Sequence, residues 1–269
     1  GNWLQSFDDD GFTLGTDGAF NQDGQTHIGW CWKAGGQQTT TNSDGSIMTE
    51  VSVNDDAGFS IVSWESVGSN TATRTVGHGL SSKPDFIILK NRDAAVNWRV
   101  YHHKLGTNGL ALNTTEAAFS FWPSEPTDSI ITLANSTTTG EATNYGNDTI
   151  SAYCWREVEG YSKFGRFVGN GDAQGPFVYL GFKPALIMIK CDSSTSNWGV
   201  FDSSRHSSNP HPTDVYWNLN DTEYTSNIGP DFLSNGFKMR TTNSTWNGDG
   251  KTYVYAAWAE VPLKYANAK

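Results

Sequence analysis

Carboxylates are the first side chains to consider, because two of them facing each other across a groove can cleave a glycosidic bond. None lies in an ExDxE-like motif, in which strand alternation would place two carboxylates on one face. Glu157 and Glu260 hold matching positions in an internal repeat, which indicates a structural role. The sequence therefore disfavours glycoside hydrolysis and predicts no catalytic residue. The candidates considered are Glu65, Asp93, Glu116, Glu125, Glu157, Glu159, Asp202 and Glu260.

The histidines and the acidic segments give little support for a metal site. His102 and His103 are neighbours, and imidazoles next to each other on an extended chain point to opposite sides, so they cannot readily share one ion. We expect these two and the corresponding His206 and His211 to be solvated loop residues. The acidic segments 8–11 and 54–56 lack the twelve-residue calcium loop with its terminal Glu. We predict neither a metal site nor a cofactor.

The cysteines predict neither a disulfide framework nor a thiolate zinc site, because their count is odd and no CxxC spacing occurs. Cys31 and Cys154 hold matching repeat positions, where the third copy has Ala257. A position that accepts Cys or Ala indicates a small, buried side chain.

Aromatic side chains carry the remaining signal for function. Five of them lie in segments that differ between the repeats: Trp122, Tyr216, Trp217, Tyr224 and Trp246. Exposed rings beside Asn, Asp and Thr are a common platform for stacking against sugars, whose hydroxyls the polar groups bind. The same rings could instead pack beneath long loops or against a neighbouring subunit. The sequence thus predicts a glycan-binding surface or a set of packing anchors on these loops.

An internal repeat defines the elements that must position these residues. Residues 83–100 (KPDFIILKNRDAAVNWRV) match residues 183–200 (KPALIMIKCDSSTSNWGV). A second signature, running from Thr to Trp, occurs at 26–32, 149–155 and 252–258, and its first copy has no upstream KP…NW partner. The predicted organisation is a half repeat at 1–36, a connector at 37–56, full repeats at 57–160 and 161–262, and a tail at 263–269.

The strand pattern is the same in both repeats. Apolar runs after Pro, at 86–89 and 186–189, are typical of central strands buried on both faces. Small and bulky positions alternate along the Thr-to-Trp signatures, as in strands. Leu112-Asn113 matches Leu219-Asn220 at a changed offset, so we expect loops with variable tips around them. We predict an all-β chain of tandem antiparallel β-sandwich repeats of the jelly-roll or lectin type.

Composition disfavours several classes of protein. With 18 Lys and Arg against 28 Asp and Glu, the net charge is −10, and no basic cluster occurs, so nucleic acid is not expected as a partner. No stretch approaches the roughly 18 apolar residues that span a membrane. The first residues lack the charged and apolar regions of a signal peptide, so Sec-type export is not predicted from this segment.

Several phrases resemble a repeat family found in tail-fibre-like and other virion proteins of marine and cyanobacterial bacteriophages, where the block often follows a lectin-like or SPRY-like β-sandwich. The resemblance covers nearly the whole chain. It implies a structural protein on the tail or capsid surface of the phage particle, a homotrimer with other virion proteins as partners, and it implies no catalytic residue. The phrases are SFDDDGFTLG, GQTHIGWCWKAGG, AGFSIVSW, TVGHGLSSKPDFIILKNRD, AYCWREVEGYSKFG and DFLSNGFKMR.

Three functions follow as expectations. The first is a non-enzymatic tail-fibre or appendage module that contacts host surface polysaccharide. The second is a purely structural capsid decoration or collar module, in which other virion subunits cover the loop tips. The third, less favoured, is a glycan depolymerase, which requires two carboxylates about 5–10 Å apart in a groove.

Overall fold

Strands account for nearly all the regular structure of the chain. The structure, a computed structural model, describes residues 3–36, 38–67, 73–134, 143–144, 146–225 and 229–260. The predicted tail at 263–269 lies outside them. The described residues form twenty strands, two four-residue helices and a 3₁₀ turn at His103–Leu105. The prediction of an all-β chain is confirmed.

The N-terminal unit, which ends at Trp32, contains one hairpin and one short helix. Strand β1 (Leu4–Phe7) pairs antiparallel with β2 (Phe12–Leu14). Helix α1 (Gly18–Asn21) follows, capped by the Asp17 carboxylate. Residues 26–32 have no regular secondary structure, so the strand predicted there is wrong. A central strand needs a partner on each side, and the described residues of this unit supply none.

The second unit begins at Lys33 and contains both full repeats. Eight strands of repeat 1 form one large sheet in the order β10-β9-β8-β7-β12-β5-β4-β3, and β11 pairs with β6 in a small sheet. These strands are β3 (Thr40–Asn42), β4 (Thr49–Asn54), β5 (Phe59–Glu65), β6 (Arg74–Gly77), β7 (Phe86–Asn91), β8 (Arg99–His102), β9 (Asn108–Ala111), β10 (Phe119–Ser120), β11 (Ile130–Leu133) and β12 (Thr149–Trp155).

Repeat 2 has the topology of the central part of repeat 1. Its large sheet has the order β13-β20-β15-β16-β17, which corresponds to β5-β12-β7-β8-β9, and its small sheet has the order β14-β19-β18. The elements are β13 (Ser162–Val168), β14 (Phe177–Tyr179), β15 (Leu186–Cys191), β16 (Trp198–Asp202), β17 (Val215–Tyr216), β18 (Pro230–Leu233), β19 (Gly236–Met239), α2 (Ser244–Asn247) and β20 (Thr252–Trp258). The duplication therefore extends from sequence to topology.

Each repeat is a sandwich with its core between the large and the small sheet. Strand β12 contributes Cys154 to the core of repeat 1, and β20 contributes Ala257 to the core of repeat 2. The predicted small, buried position is confirmed at these two residues, whereas Cys31 in the first unit is exposed. Burial raises the pKa of the Cys154 thiol to about 12, so this thiol stays protonated.

The opposite faces of the two large sheets pack against each other. Phe86 of β7 stacks on Phe164 of β13, and Trp155 lies edge-on to Trp258, with ring centroids 5.8 Å apart. Both faces of β7 and β15 are therefore covered, as the apolar runs in their sequences predict.

The segment predicted as a connector, residues 37–56, is part of the repeat 1 sandwich. It forms β3 and β4, and β4 pairs with β5. It also reaches the small sheet, because the Ile47 amide donates to the Thr75 carbonyl at 3.0 Å. Its Thr, Ser and Asp content is typical of loops, yet Thr49 and Val51 are buried. This segment closes one side of repeat 1.

Side-chain hydrogen bonds correct the alignment of the two repeats. The Asn113 Oδ1 accepts from the Trp98 amide at 2.9 Å, and the Asn218 Oδ1 accepts from the Trp198 amide at 2.8 Å. Asn113 therefore corresponds to Asn218, and the match with Asn220 is wrong.

Candidate functional site

Two of the five predicted aromatic residues are buried in the cores. Trp122 lies edge-on to Tyr101 with centroids 5.8 Å apart, and its Nε1 donates to the Val100 carbonyl at 3.4 Å. Trp246, in α2, is completely buried, and a Cβ added at Gly199 would collide with its ring. Neither ring can stack on an external sugar, so the glycan-binding prediction is wrong for both. Long loops fold over the sandwich and bury them instead.

The other three aromatic residues lie on neighbouring chain segments of repeat 2, and the rings of two of them, Tyr216 and Tyr224, are in contact. Tyr216 ends β17, Trp217 follows it directly, and the backbone of Tyr224 pairs with that of Asp214 through hydrogen bonds of 3.0 and 3.1 Å. The Tyr216 and Tyr224 ring centroids are 5.0 Å apart, with planes inclined by 66°. Tyr216 also stacks on the buried Trp246 at 5.7 Å. These rings form a row that runs from the core to the surface, where Tyr224 is 37% exposed.

This aromatic group belongs to repeat 2 alone. The Trp217 amide donates to the Trp198 carbonyl at 2.9 Å, as the Leu112 amide donates to the Trp98 carbonyl at 3.0 Å in repeat 1. Trp217 therefore replaces a buried leucine and is itself only half-buried. The shared fold of the two repeats does not explain why repeat 2 has a half-buried Trp where repeat 1 has a buried Leu. Trp217 is therefore a candidate for a functional residue.

Polar groups border the rings. The Tyr224 hydroxyl donates to the Asp221 carboxylate at 2.9 Å, and this bond, together with the charge of Asp221, raises the pKa of Tyr224. The phenol therefore stays neutral, and Asp221 is exposed. Leu219, also exposed, adds apolar area. We call Tyr216, Trp217, Leu219, Asp221 and Tyr224 the tyrosine surface.

A charged network lies on the chain segments next to the tyrosine surface. The Arg205 guanidinium donates to Asp202 at 2.5 Å, to Glu223 at 2.7 Å and to the Val200 carbonyl at 2.9 Å. Burial by itself would raise the pKa of Glu223, but the Thr213 hydroxyl and Arg205 lower it below its usual value. Glu223 is thus held as an anion, which can accept a hydrogen bond from a hydroxyl group.

The paired histidines join the two repeats. His102 is buried, and its Nε2 lies 3.0 Å from the Tyr255 carbonyl oxygen. The Nε2 of His103 lies 2.8 Å from the Phe164 carbonyl oxygen, and its Nδ1 lies 3.0 Å from Asp85. The expectation that these two are solvated loop residues is therefore wrong.

The corresponding histidines of repeat 2 differ from each other. His206 is half-buried, with its Nε2 3.6 Å from Glu223. His211 is buried, and burial lowers its pKa to about 4, so the expectation of solvation is wrong for His211 as well.

Carboxyl groups with a raised pKa, which a glycosidase needs as its general acid, do not stand out in the described part of the chain. The carboxyl groups whose pKa is clearly shifted all have a lowered pKa. They are Asp8, Glu50, Asp55, Asp85, Asp93, Glu125 and Glu223. Within the described residues, no group of three or more His, Cys, Asp and Glu side chains could hold a metal ion.

No helix within the described ranges has both the length and the apolar character needed to cross a membrane.

Sequence reasoning missed Leu219 and Asp221 as members of this surface. Matching Leu219 with Leu112 assigned it to a repeated structural position. Matching Asn113 with Asn218 would have placed Trp217 opposite Leu112 and left Leu219 as an apolar residue in a polar loop.

Comparison with known proteins defines a family. No curated protein and no solved structure matches the chain. A family model described as a domain of unknown function (DUF7483) matches residues 1–262. The match spans the N-terminal unit and both repeats, so these parts occur together in one family unit. The chain therefore belongs to the DUF7483 family.

Proposed function

We propose that the chain is a non-enzymatic surface module of a bacteriophage particle, part of a tail fibre or similar appendage, and that its tyrosine surface contacts host surface glycans. The observation that carries the proposal is the row formed by Tyr224, Tyr216 and Trp246. The outer ring is exposed and the inner ring is buried, so the platform is supported from behind. A ring held in this way loses little conformational entropy when a sugar stacks on it.

The chemistry around the rings suits a sugar. A pyranose presents an apolar face of C–H groups and a rim of hydroxyls, and it is bound by a ring together with a few polar groups. Trp217 and Leu219 lie in the turn that follows Tyr216, where Trp217 is half-buried and Leu219 is exposed. Asp221 offers carboxylate oxygens to hydroxyl donors.

Location on a virion is supported by the resemblance of the sequence phrases to phage tail-fibre-like proteins. The net charge of −10 is consistent with it, because like charge keeps a protein soluble at high local copy number. A non-enzymatic role is supported by carboxylates whose pKa values are lowered by hydrogen bonds and cations.

A second candidate is a purely structural decoration or collar module. The exposed apolar side chains of the N-terminal unit favour it, because patches of this kind mark protein contacts. They include Trp3, Leu4, Phe7 and Phe12. In such a module, other virion subunits would cover the tyrosine surface.

A glycan array probed with residues 1–269 tests the proposal, followed by calorimetric titration of the best ligand. We expect Tyr224→Ala and Trp217→Ala each to weaken binding about tenfold, which is within the range of a lost stacking contact. Met48→Ala is the control, because Met48 is exposed on repeat 1. Circular dichroism confirms that each variant is folded. Absence of glycan binding by the folded wild-type chain would overturn the proposal, as would unchanged affinity in both variants.

A further inference from the structure

Within the described residues, repeat 2 has no counterpart of one element of repeat 1. Strand β13 pairs with β20 as β5 pairs with β12, and β14 pairs with β19 as β6 pairs with β11. In repeat 1, residues 40–54 cover the outer edges of β5 and β6. In repeat 2, β13 and β14 are edge strands, and no strand lies beyond either of them in the described part of the chain.

Chain connectivity explains the difference. A turn of four residues, 55–58, separates β4 from β5, so the preceding chain folds back along the edge of β5. Strand β13 instead follows β12, whose residues already form the centre of the large sheet of repeat 1. The chain before β13 therefore cannot supply a counterpart of β4.

The edge of β13 offers free backbone groups. The Gly169 amide donates to the Lys251 carbonyl at 2.8 Å, so by the alternation of an antiparallel ladder Val168 and Arg166 direct their N–H and C=O groups away from β20. Within the described ranges these groups have no hydrogen-bond partner. The Phe164 carbonyl accepts from His103, so the free stretch is 165–168.

Apolar side chains are exposed on both free edge strands of repeat 2, β13 and β14. Val168 of β13 and Phe177 and Tyr179 of β14 are all exposed, Tyr179 to 60%. The Lys163 Nζ lies 5.5 Å from the centre of the Tyr179 ring, which shows that the two edges adjoin. Lys238 pairs with Phe177 across the small sheet and bonds Gln174 rather than a carboxylate. We call Val168, Phe177, Tyr179, Lys163 and Lys238 the repeat 2 edge.

The N-terminal hairpin complements the repeat 2 edge in its exposed apolar side chains and in its negative charge. A two-stranded hairpin alone is at best marginally stable, and β1–β2 leaves Leu4, Phe7 and Phe12 exposed. Residues 1–32 contain five Asp and no Lys or Arg. Strand β1 has four residues, which equals the free stretch on β13. The element that closes repeat 1, β3–β4, is likewise a hairpin.

We propose that hairpin β1–β2 of a second copy of this chain adds to β13 and covers Phe177 and Tyr179. Addition of a strand to a sheet edge supplies main-chain hydrogen bonds, and the exposed side chains of the two surfaces supply apolar contact. The contact is heterologous, so the copies associate head to tail.

Light scattering coupled to size-exclusion chromatography of residues 1–269, over a range of concentrations, tests this proposal. We expect the wild-type chain to form an oligomer. Phe7→Glu should abolish the donor, and the double variant F177E/Y179E should abolish the acceptor, so each elutes as a monomer. Met48→Glu is the control and should remain oligomeric, because Met48 is exposed in repeat 1. Circular dichroism verifies that all variants are folded.

Mixing the two monomeric variants distinguishes head-to-tail association from docking within one chain and from a symmetric interface. The donor variant keeps an intact repeat 2 edge, and the acceptor variant keeps an intact hairpin, so the mixture should form a 1:1 dimer. A wild-type chain that stays monomeric would overturn the proposal. So would a mixture without dimer, the result expected if the hairpin docks within its own chain or if the interface is symmetric. None of these readouts depends on a glycan.

Discussion

The ring of Phe86 in repeat 1 stacks on the ring of Phe164 in repeat 2, with centroids 5.5 Å apart and planes inclined by 14°. Both residues are buried, and Trp155 and Trp258 meet beside them. Unfolding of one repeat would expose this apolar face of the other. The two repeats should therefore unfold together.

Phe164→Ala tests this coupling. We expect the free energy of unfolding to fall by about 3–5 kcal/mol, as for other large-to-small changes of a buried aromatic residue. Urea denaturation followed by fluorescence should show one transition for the whole of residues 33–269. Val67→Ala, at an exposed position, should change stability by no more than about 0.5 kcal/mol. Two separate transitions in the wild-type chain would contradict the coupling.

Trp246→Ala separates packing from glycan contact. Because Trp246 is completely buried, we expect its loss to lower the free energy of unfolding by about 3–5 kcal/mol. Trp217→Ala, at a half-buried position, should cost less. Equilibrium denaturation of both variants gives the comparison. Equal and small effects would mean that Trp246 is not a core residue.

Gly199→Ala tests the contact between β16 and α2. A Cβ at this position meets the Trp246 ring, so we expect a loss of about 1–3 kcal/mol from overpacking. Repeat 1 has Arg99 at the corresponding position, where the guanidinium lies 4.9 Å from the centre of the Phe121 ring. Gly18→Ala is the control, because a Cβ there meets no atom within 4 Å. Unchanged denaturation of Gly199→Ala would refute the close packing.

The buried histidines make stability depend on pH. Burial lowers the pKa of His102 to about 3 and that of His211 to about 4, whereas an unfolded chain has histidine pKa values of about 6.5. Below pH 6.5 the unfolded chain binds protons that the native chain does not. The stabilisation is therefore complete above pH 6.5, and we expect it to fall by up to about 1.4 kcal/mol per pH unit and histidine as the pH approaches 4.

His102→Gln isolates one contribution to this pH dependence. Glutamine can still donate to the Tyr255 carbonyl, but it does not titrate. We expect a shallower decline of the free energy of unfolding between pH 6.5 and 4, measured by urea denaturation at several pH values. Val67→Ala, at an exposed position without a titratable group, should leave the slope unchanged. An identical slope in His102→Gln and the wild-type chain would contradict the assignment.

The repeated strands could be predicted from the sequence because each structural position is occupied by a residue in both repeats. The residue types that share a position indicate whether it is buried and how large a side chain it accepts. The alternation of Cys and Ala with bulky residues in β12 and β20 indicates one small, buried position, and both Cys154 and Ala257 occupy it. Paired apolar runs likewise indicate the two-sided burial of β7 and β15.

Features that occur once could not be predicted in this way. Strands β3 and β4 are rich in Thr and Ser, so their sequence resembles a loop. They are buried because β4 pairs with β5 and because Ile47 contacts β6, which lies almost thirty residues later in the chain. Residues 26–32 have the sequence of a central strand, but no strand of the described part of the chain pairs with them. Burial of Trp122 and Trp246 depends on how long loops fold back, which no local pattern records.

The contact between the two large sheets also constrains how genes of this family can change. Recombination that removed one repeat would leave Phe86 or Phe164 on an open apolar face, and the product would be prone to aggregate. Selection therefore acts on the two repeats as one heritable unit. Exposed loop residues such as 207–210, which lie outside this contact, are where variation between lineages should accumulate.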